Sequence, residues 1–303
     1  MRSFFLILFA VLLLQMNAQD WKTPSFKKNG WETDAGLDPD KKRRNILLIS
    51  EVSAYTIALV GLNELWYANY PKSSFHFIND NNEWLQMDKL GHMTASYYTG
   101  VAGIKAYEWA GFSRKKAIWY GGLTGSFFLT IIEVLDGHSA EWGASSGDLI
   151  ANTGGSLLAI GQALKWNEQR IHLKYSYFPT QFANNNPDQL GSSHLERALK
   201  DYNGQTYWIS FNLKSLMQIE NDNFPSWLSI SLGHSATNMS TPFAENDETR
   251  EREFFLSFDV DLNRIKTNNK TLDAILHTFG FLKFPAPALK YANGDLFFHP
   301  IYY

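Results

Sequence analysis

Three short polar motifs punctuate the apolar half of this chain. Asp88-Lys89-Leu90-Gly91-His92 spaces a carboxylate and an imidazole four residues apart, so on a helix Asp88, His92 and Ser96 line one stripe. Glu133-Val134-Leu135-Asp136 sets two carboxylates three residues apart, just before Gly137 and His138. Ser146-Gly147-Asp148 then leads to Asn152 and Gly155. Hard carboxylate oxygens at Glu133, Asp136 and Asp148, joined by the His92 imidazole, suit a divalent metal, and a metal-activated water would make a hydrolase. Without a metal, His92 beside Asp88 or Glu133 would serve as a general base. Lys89 and nearby helix N-termini would instead hold a phosphate or sugar head group without cutting it.

Every one of these residues also has a structural use. Ser145 and Asp148 match the S-x-x-D signature of a helix N-cap. Asp88 favours a helix N-terminus through the dipole, Lys89 suits an ion pair, and a single histidine suits a hydrogen-bonded core. Scaffold, head-group binding and hydrolysis therefore all stay open. There is no Walker loop, G-x-S-x-G elbow, H-E-x-x-H pair or dinucleotide fingerprint, so the commoner enzyme classes lack support.

The elements that must position these groups are four apolar segments, at about 46–67, 85–110, 117–135 and 148–166. Gly111 is placed to end the second. Gly121 and Gly125 in the third make a G-x-x-x-G spacing that admits a neighbouring backbone. Ala151, Gly155, Ala159 and Ala163 form a small-residue ridge in the fourth. Together they predict an antiparallel four-helix bundle over 46–168, either membrane-embedded or soluble. Up-and-down connectivity would bring all three polar motifs to one end, under the glycine-rich loop 137–147. From 169 to 303 the texture changes to alternation, with strands at about 172–182, 206–213, 227–235, 253–262 and 294–303, and a short helix at 272–281. Phe284-Pro-Ala-Pro287 reads as a breaker, and Pro300 confines the last strand to an edge. About five strands are too few for a complete transmembrane barrel. The fold class is α+β, with an antiparallel β region following the helices.

Composition narrows the rest. A net charge of -3 over 303 residues argues against a nucleic-acid partner. Aromatics reach 15%, enough for a large core or a membrane interface. The chain has no cysteine, which excludes disulfides, thiolate metal sites and a lipid anchor on an N-terminal cysteine. Residues 1–18 read as a secretory signal, with Arg2, an apolar run and Ala18 before the cut. Residues 19–45 look irregular and end in Lys41-Lys42-Arg43-Arg44, a cluster that reads as a solvated helix start or, in the alternative, as a contact for anionic lipid head groups. Placed beyond the inner membrane, that cluster runs against the positive-inside rule, which favours the periplasm or outer membrane. Membrane lipid or an envelope glycan is the expected partner.

On Asp88-Lys89-x-x-His92, Glu133-x-x-Asp136-Gly137 and Ser146-x-Asp148-x-x-x-Asn152-x-x-Gly155, the chain resembles the YfiM-like family of predicted periplasmic lipoproteins. The same order is more distantly similar to VanZ-like membrane proteins, which carry glutamine where this chain has Asp136. The resemblance covers about 45–165 and implies an envelope location. It assigns no activity.

Overall fold

The structure, a computed structural model, describes residues 41–63, 67, 70–243 and 249–303. The expected signal segment and nearly all of 19–45 lie outside those residues. The chain forms two compact units, one holding residues up to Asn79 with Ala95–Asn167, the other Asp80–Thr94 with Glu168–Tyr303.

Four long helices supply the α part: α1 (Lys41–Leu62), α2 (Met87–Trp109), α3 (Arg114–Asp136) and α4 (Ser146–Trp166). Helix α1 starts at the basic cluster, the solvated helix start expected there. Lys41 and Lys42 are exposed there, while the Arg43 guanidinium donates to the Trp109 carbonyl at the end of α2 and lies over the Trp109 ring. Gly111, with φ of 84°, ends that helix turn as its position predicts. Helix α3 contains a π-helical turn at Ala117–Gly121. Within the helical unit, helix backbones touch where the glycines stand. A Cβ on Gly121 would lie 2.4 Å from the Gly103 backbone, and one on Gly125 would lie 2.3 Å from the Ser96 carbonyl oxygen. These contacts fix where α3 runs along the second half of α2. A short parallel pair, β1 (Phe77–Ile78) with β2 (Ala144–Ser145), leads into α4.

The other unit carries a six-stranded antiparallel sheet in simple sequence order: β3 (Ile171–Tyr177), β4 (Gln205–Asn212), β5 (Leu228–Thr237), β6 (Glu251–Val260), β7 (Ala286–Ala292) and β8 (Asp295–Tyr302). A short helix α5 (His194–Lys200), started by a capping box of Ser193 and Glu196, lies between β3 and β4. Helix α6 (Lys270–Thr278), capped by Asn269, lies between β6 and β7. The segment expected to break structure instead opens β7. A register shift between Ala286 and Ala288 puts Pro287 at an irregular position where no ladder N–H is needed. Pro300 sits in β8, an edge strand, where its missing donor costs nothing.

The faces of this sheet invert the soluble pattern. Its inner side buries His172, Lys174, Ser176, Ser210, Ser229, Ser231, Ser257 and Asp259. Lys174 Nζ sits 2.8 Å from Asp259, with both side chains wholly buried. Ser210 donates to Asp259 at 2.6 Å, and His172 lies 3.2 Å from Asp261. Burial works to raise the Asp261 carboxyl, but His172, with Lys174 and Arg264, holds it well below the usual carboxylate range. The sheet curls around these groups. Thr206 on β4 meets the Tyr302 hydroxyl on β8 at 3.1 Å, and the chain at 281–283 pairs with Tyr175 along the β3 edge.

Candidate functional site

The Asp88 motif opens α2 after an unusual approach. Trp84, Leu85 and Gln86 all have positive φ, at 46°, 50° and 63°. None is glycine, so each costs roughly 1–2 kcal/mol in a left-handed conformation. Contacts from the same unit hold the turn. The Trp84 N–H donates to the Pro242 carbonyl at 3.0 Å, and Arg252 donates to the Leu85 carbonyl at 2.8 Å and to the Gln86 side chain. The Trp84 ring packs in a buried cluster with Met87, Leu190, Tyr207 and Met239. Backbone strain of this kind gathers at positions that must hold a fixed geometry.

The strained turn sets the first helical turn of α2. Asp88 accepts a hydrogen bond from Tyr202 at 2.7 Å, and its second oxygen lies 3.9 Å from His92 Nε2. That gap is too long for a hydrogen bond, but a cation about 2.1 Å from each atom would bridge it. His92 is buried. Lys89 pairs with Asp80 at 2.7 Å. Burial pushes the neighbouring Glu83 carboxyl up; Asp80 and Asp88 add to the rise, and Lys89 opposes it.

The helical unit gathers a second polar set. Glu133 and Asp136 are buried on α3, Asp148 and Asn152 on α4. The Glu133 carboxylate accepts the Ser145 N–H at 2.9 Å, and Asp136 accepts from Tyr67 at 2.6 Å. Ser145 Oγ accepts the Asp148 N–H at 3.1 Å, the expected N-cap. Ser146, its neighbour, is exposed. One turn further along α4 the Asn152 carbonyl accepts from Ser96, whose oxygen lies 2.9 Å from that of Ser156.

The structure thus joins Glu133 to Asp148 through Ser145, and Asn152 to Ser96, inside the helical unit. It places Asp88 beside His92, and Lys89 beside Asp80, in the sheet-bearing unit. Sequence reasoning missed four of the partners. Ser156 continues the four-residue stripe from Asp148 and Asn152, so spacing would have found it. Tyr67, Tyr202 and Asp80 carry no local signal, because nothing near them in sequence announces a contact made through the fold.

The helices also have inverted faces. Against the buried Glu133, Asp136, Asp148 and Asn152, helices α3 and α4 expose Leu123, Phe127, Val134, Ile150 and Leu157. Helix α1 exposes Ile49, Val52, Ile57 and Val60. Among the described residues, one helix, Arg114–Asp136, is long and apolar enough to cross a membrane.

Residues 74–162 match the model of a family described as "Predicted periplasmic lipoprotein (DUF2279)". The match takes in all three polar motifs and stops short of the sheet from β3 onward. No curated protein and no solved structure matches the chain. The match supports the location expected from the sequence: this is an exported protein of the cell envelope, similar over 74–162 to an uncharacterised family of predicted periplasmic lipoproteins.

Proposed function

We propose that the protein works at an envelope membrane, with the apolar flanks of its helices against lipid and a lipid or glycan head group held by its buried polar residues. The observation that carries this reading is the inverted polarity of the helical unit. Its Glu133, Asp136 and Asp148 carboxylates are buried, while Phe127, Val134, Ile150 and Leu157 on the same helices are exposed. In water that arrangement wastes roughly 25 cal/mol for each Å² of apolar surface left exposed, whereas lipid removes the penalty. The four helices are 21 to 23 residues long, so all lie in the range that matches a hydrocarbon core about 30 Å thick. A four-helix bundle is the arrangement we assign to them.

Glu133, Asp136 and Asp148 favour a ligand rich in N–H and O–H donors, such as a sugar or an ethanolamine. Asp88, Lys89 and His92, in the sheet-bearing unit, are a second polar group that we propose takes a ligand of the same class. A second reading, a metal-assisted hydrolase acting on an envelope lipid or cell-wall precursor, draws on the Asp88–His92 spacing.

Envelope fractions separate the readings. The proposal expects the protein to resist alkaline carbonate and to need detergent for release. It also expects a lipid or glycan in the purified sample that is lost in Glu133→Gln and Lys89→Ala. Release by carbonate, or an identical extract from wild type and variants, would overturn it. A stoichiometric divalent metal in wild type, absent from His92→Ala/Asp148→Ala, would favour the hydrolase.

A further inference from the structure

The sheet carries its own apolar surface, on residues apart from the polar site. Ile209, Leu232, Leu256, Leu289 and Phe298 pair across β4 to β8 in one unbroken row. Each is between 42% and 64% exposed. Beside that row, Phe258 pairs with Ile230 and Tyr291 pairs with Phe254. No charged side chain interrupts the row, while the opposite face buries the Lys174–Asp259 ion pair and a run of serines.

We propose that this outer face is immersed in the acyl chains of one membrane leaflet. Three features on the molecule choose this occupant. The first is the inversion itself: a water-facing sheet puts polar groups outward and apolar groups inward, and this one does the opposite. The second is curvature. Contacts made across the inner side, Lys174 to Asp259 and Thr206 to Tyr302, make the outer side convex. Two convex surfaces meet along a line, so a second copy would cover one or two strands, whereas fluid chains cover all five. The third is an underfilled cleft of about 200 Å³ on this face, where Leu90 and Met93 overhang Ile209, Leu232 and Phe254. The cleft is open and lined almost wholly by apolar groups, so an acyl chain would fill it.

The height of the belt sets the depth. Along β6 the outward residues run from Phe254 to Val260, from just after the outward Arg252 to the end of the strand. Six steps of about 3.3 Å, tilted by about 40°, span about 15 Å. That is half of a hydrocarbon core of about 30 Å. The sheet therefore enters one leaflet and does not cross.

The absence of native cysteine makes the test clean. Leu256→Cys, Leu289→Cys and Phe298→Cys, each in the full chain, carry a fluorophore in nanodiscs of phosphatidylethanolamine and phosphatidylglycerol. Asp222→Cys, on an exposed turn, is the control. The expected result is loss of fluorescence to nitroxide on lipid acyl chains and shielding from iodide at the three belt sites, with the reverse at the control. Belt labels quenched by iodide as strongly as the control would overturn the proposal. So would labels shielded from both quenchers that transfer energy between differently labelled copies, since that result assigns the face to a second copy. Should a belt variant lose the wild-type melting temperature, Tyr291→Cys and Ile301→Cys replace it, both being exposed. The readout does not depend on a bound head group, so it can fail while the polar-site reading stands, and the converse.

Discussion

Removing either partner of the Lys174–Asp259 pair tests whether the sheet is built around buried charge. Both side chains are wholly buried at 2.8 Å, and breaking such a pair from one side costs about 3–5 kcal/mol, because the survivor is left charged and uncompensated. The surroundings rank the two variants. In Lys174→Met, Asp259 keeps the Ser210 hydroxyl at 2.6 Å, the Phe284 N–H at 3.1 Å and Lys283 at 3.8 Å. That puts the cost near the lower end, about 3 kcal/mol. In Asp259→Leu, two buried ammoniums, Lys174 and Lys283, lose their shared anion. The cost then reaches about 5 kcal/mol. The double variant Lys174→Met/Asp259→Leu removes one charge of each sign and should be milder than Asp259→Leu alone, with a coupling of at least about 1 kcal/mol. Urea unfolding of the detergent-extracted protein, followed by the fluorescence of the buried Trp208, supplies the stabilities. Additive costs, or a Lys174→Met variant less stable than Asp259→Leu, would refute the reasoning.

Three further outcomes are expected. Gly125→Val should lower the melting temperature sharply, since its Cβ would lie 2.3 Å from the rigid Ser96 backbone, whereas Gly161→Ala, which meets nothing within 4 Å, should leave it unchanged or raised. Ser145→Ala should cost about 1 kcal/mol by removing the Asp148 cap, measured by the same unfolding assay. Lys283 gives a pH signature: burial lowers its amine from 10.5 to about 8, with Asp259 opposing and Lys174 assisting. The unfolded chain then binds more protons above about pH 8, so stability should rise with pH until tyrosine ionisation intervenes near 10. Lys283→Met should flatten that rise.

Much of the β part was legible because alternation survives inversion. The grouping of Leu173, Tyr175 and Tyr177 on one face of β3 holds, and five of the six strands lie where period-two patterning puts them. Which face points inward was not legible. Alternation is symmetric, and only curvature shows that His172, Lys174 and Ser176 are inside. Strand β7 was hidden by its prolines, which break a regular ladder and are tolerated at the register shift beside Pro287. The start of α1 was legible as a solvated basic turn, although four basic residues there oppose the helix dipole. On the site side, the N-cap at Ser145 and the four-residue stripes could be read directly, since helical spacing makes them local. Tyr202 reaches Asp88, and Tyr67 reaches Asp136, only through the fold.

Native mass spectrometry of the detergent-released protein tests the central claim most directly. The buried carboxylates predict a discrete non-covalent mass on the wild-type protein, of a lipid or glycan, that disappears in Glu133→Gln and Asp148→Asn while the melting temperature is kept. A wild-type spectrum without such a mass, or variants that retain it in full, would contradict a head-group site in the helical unit.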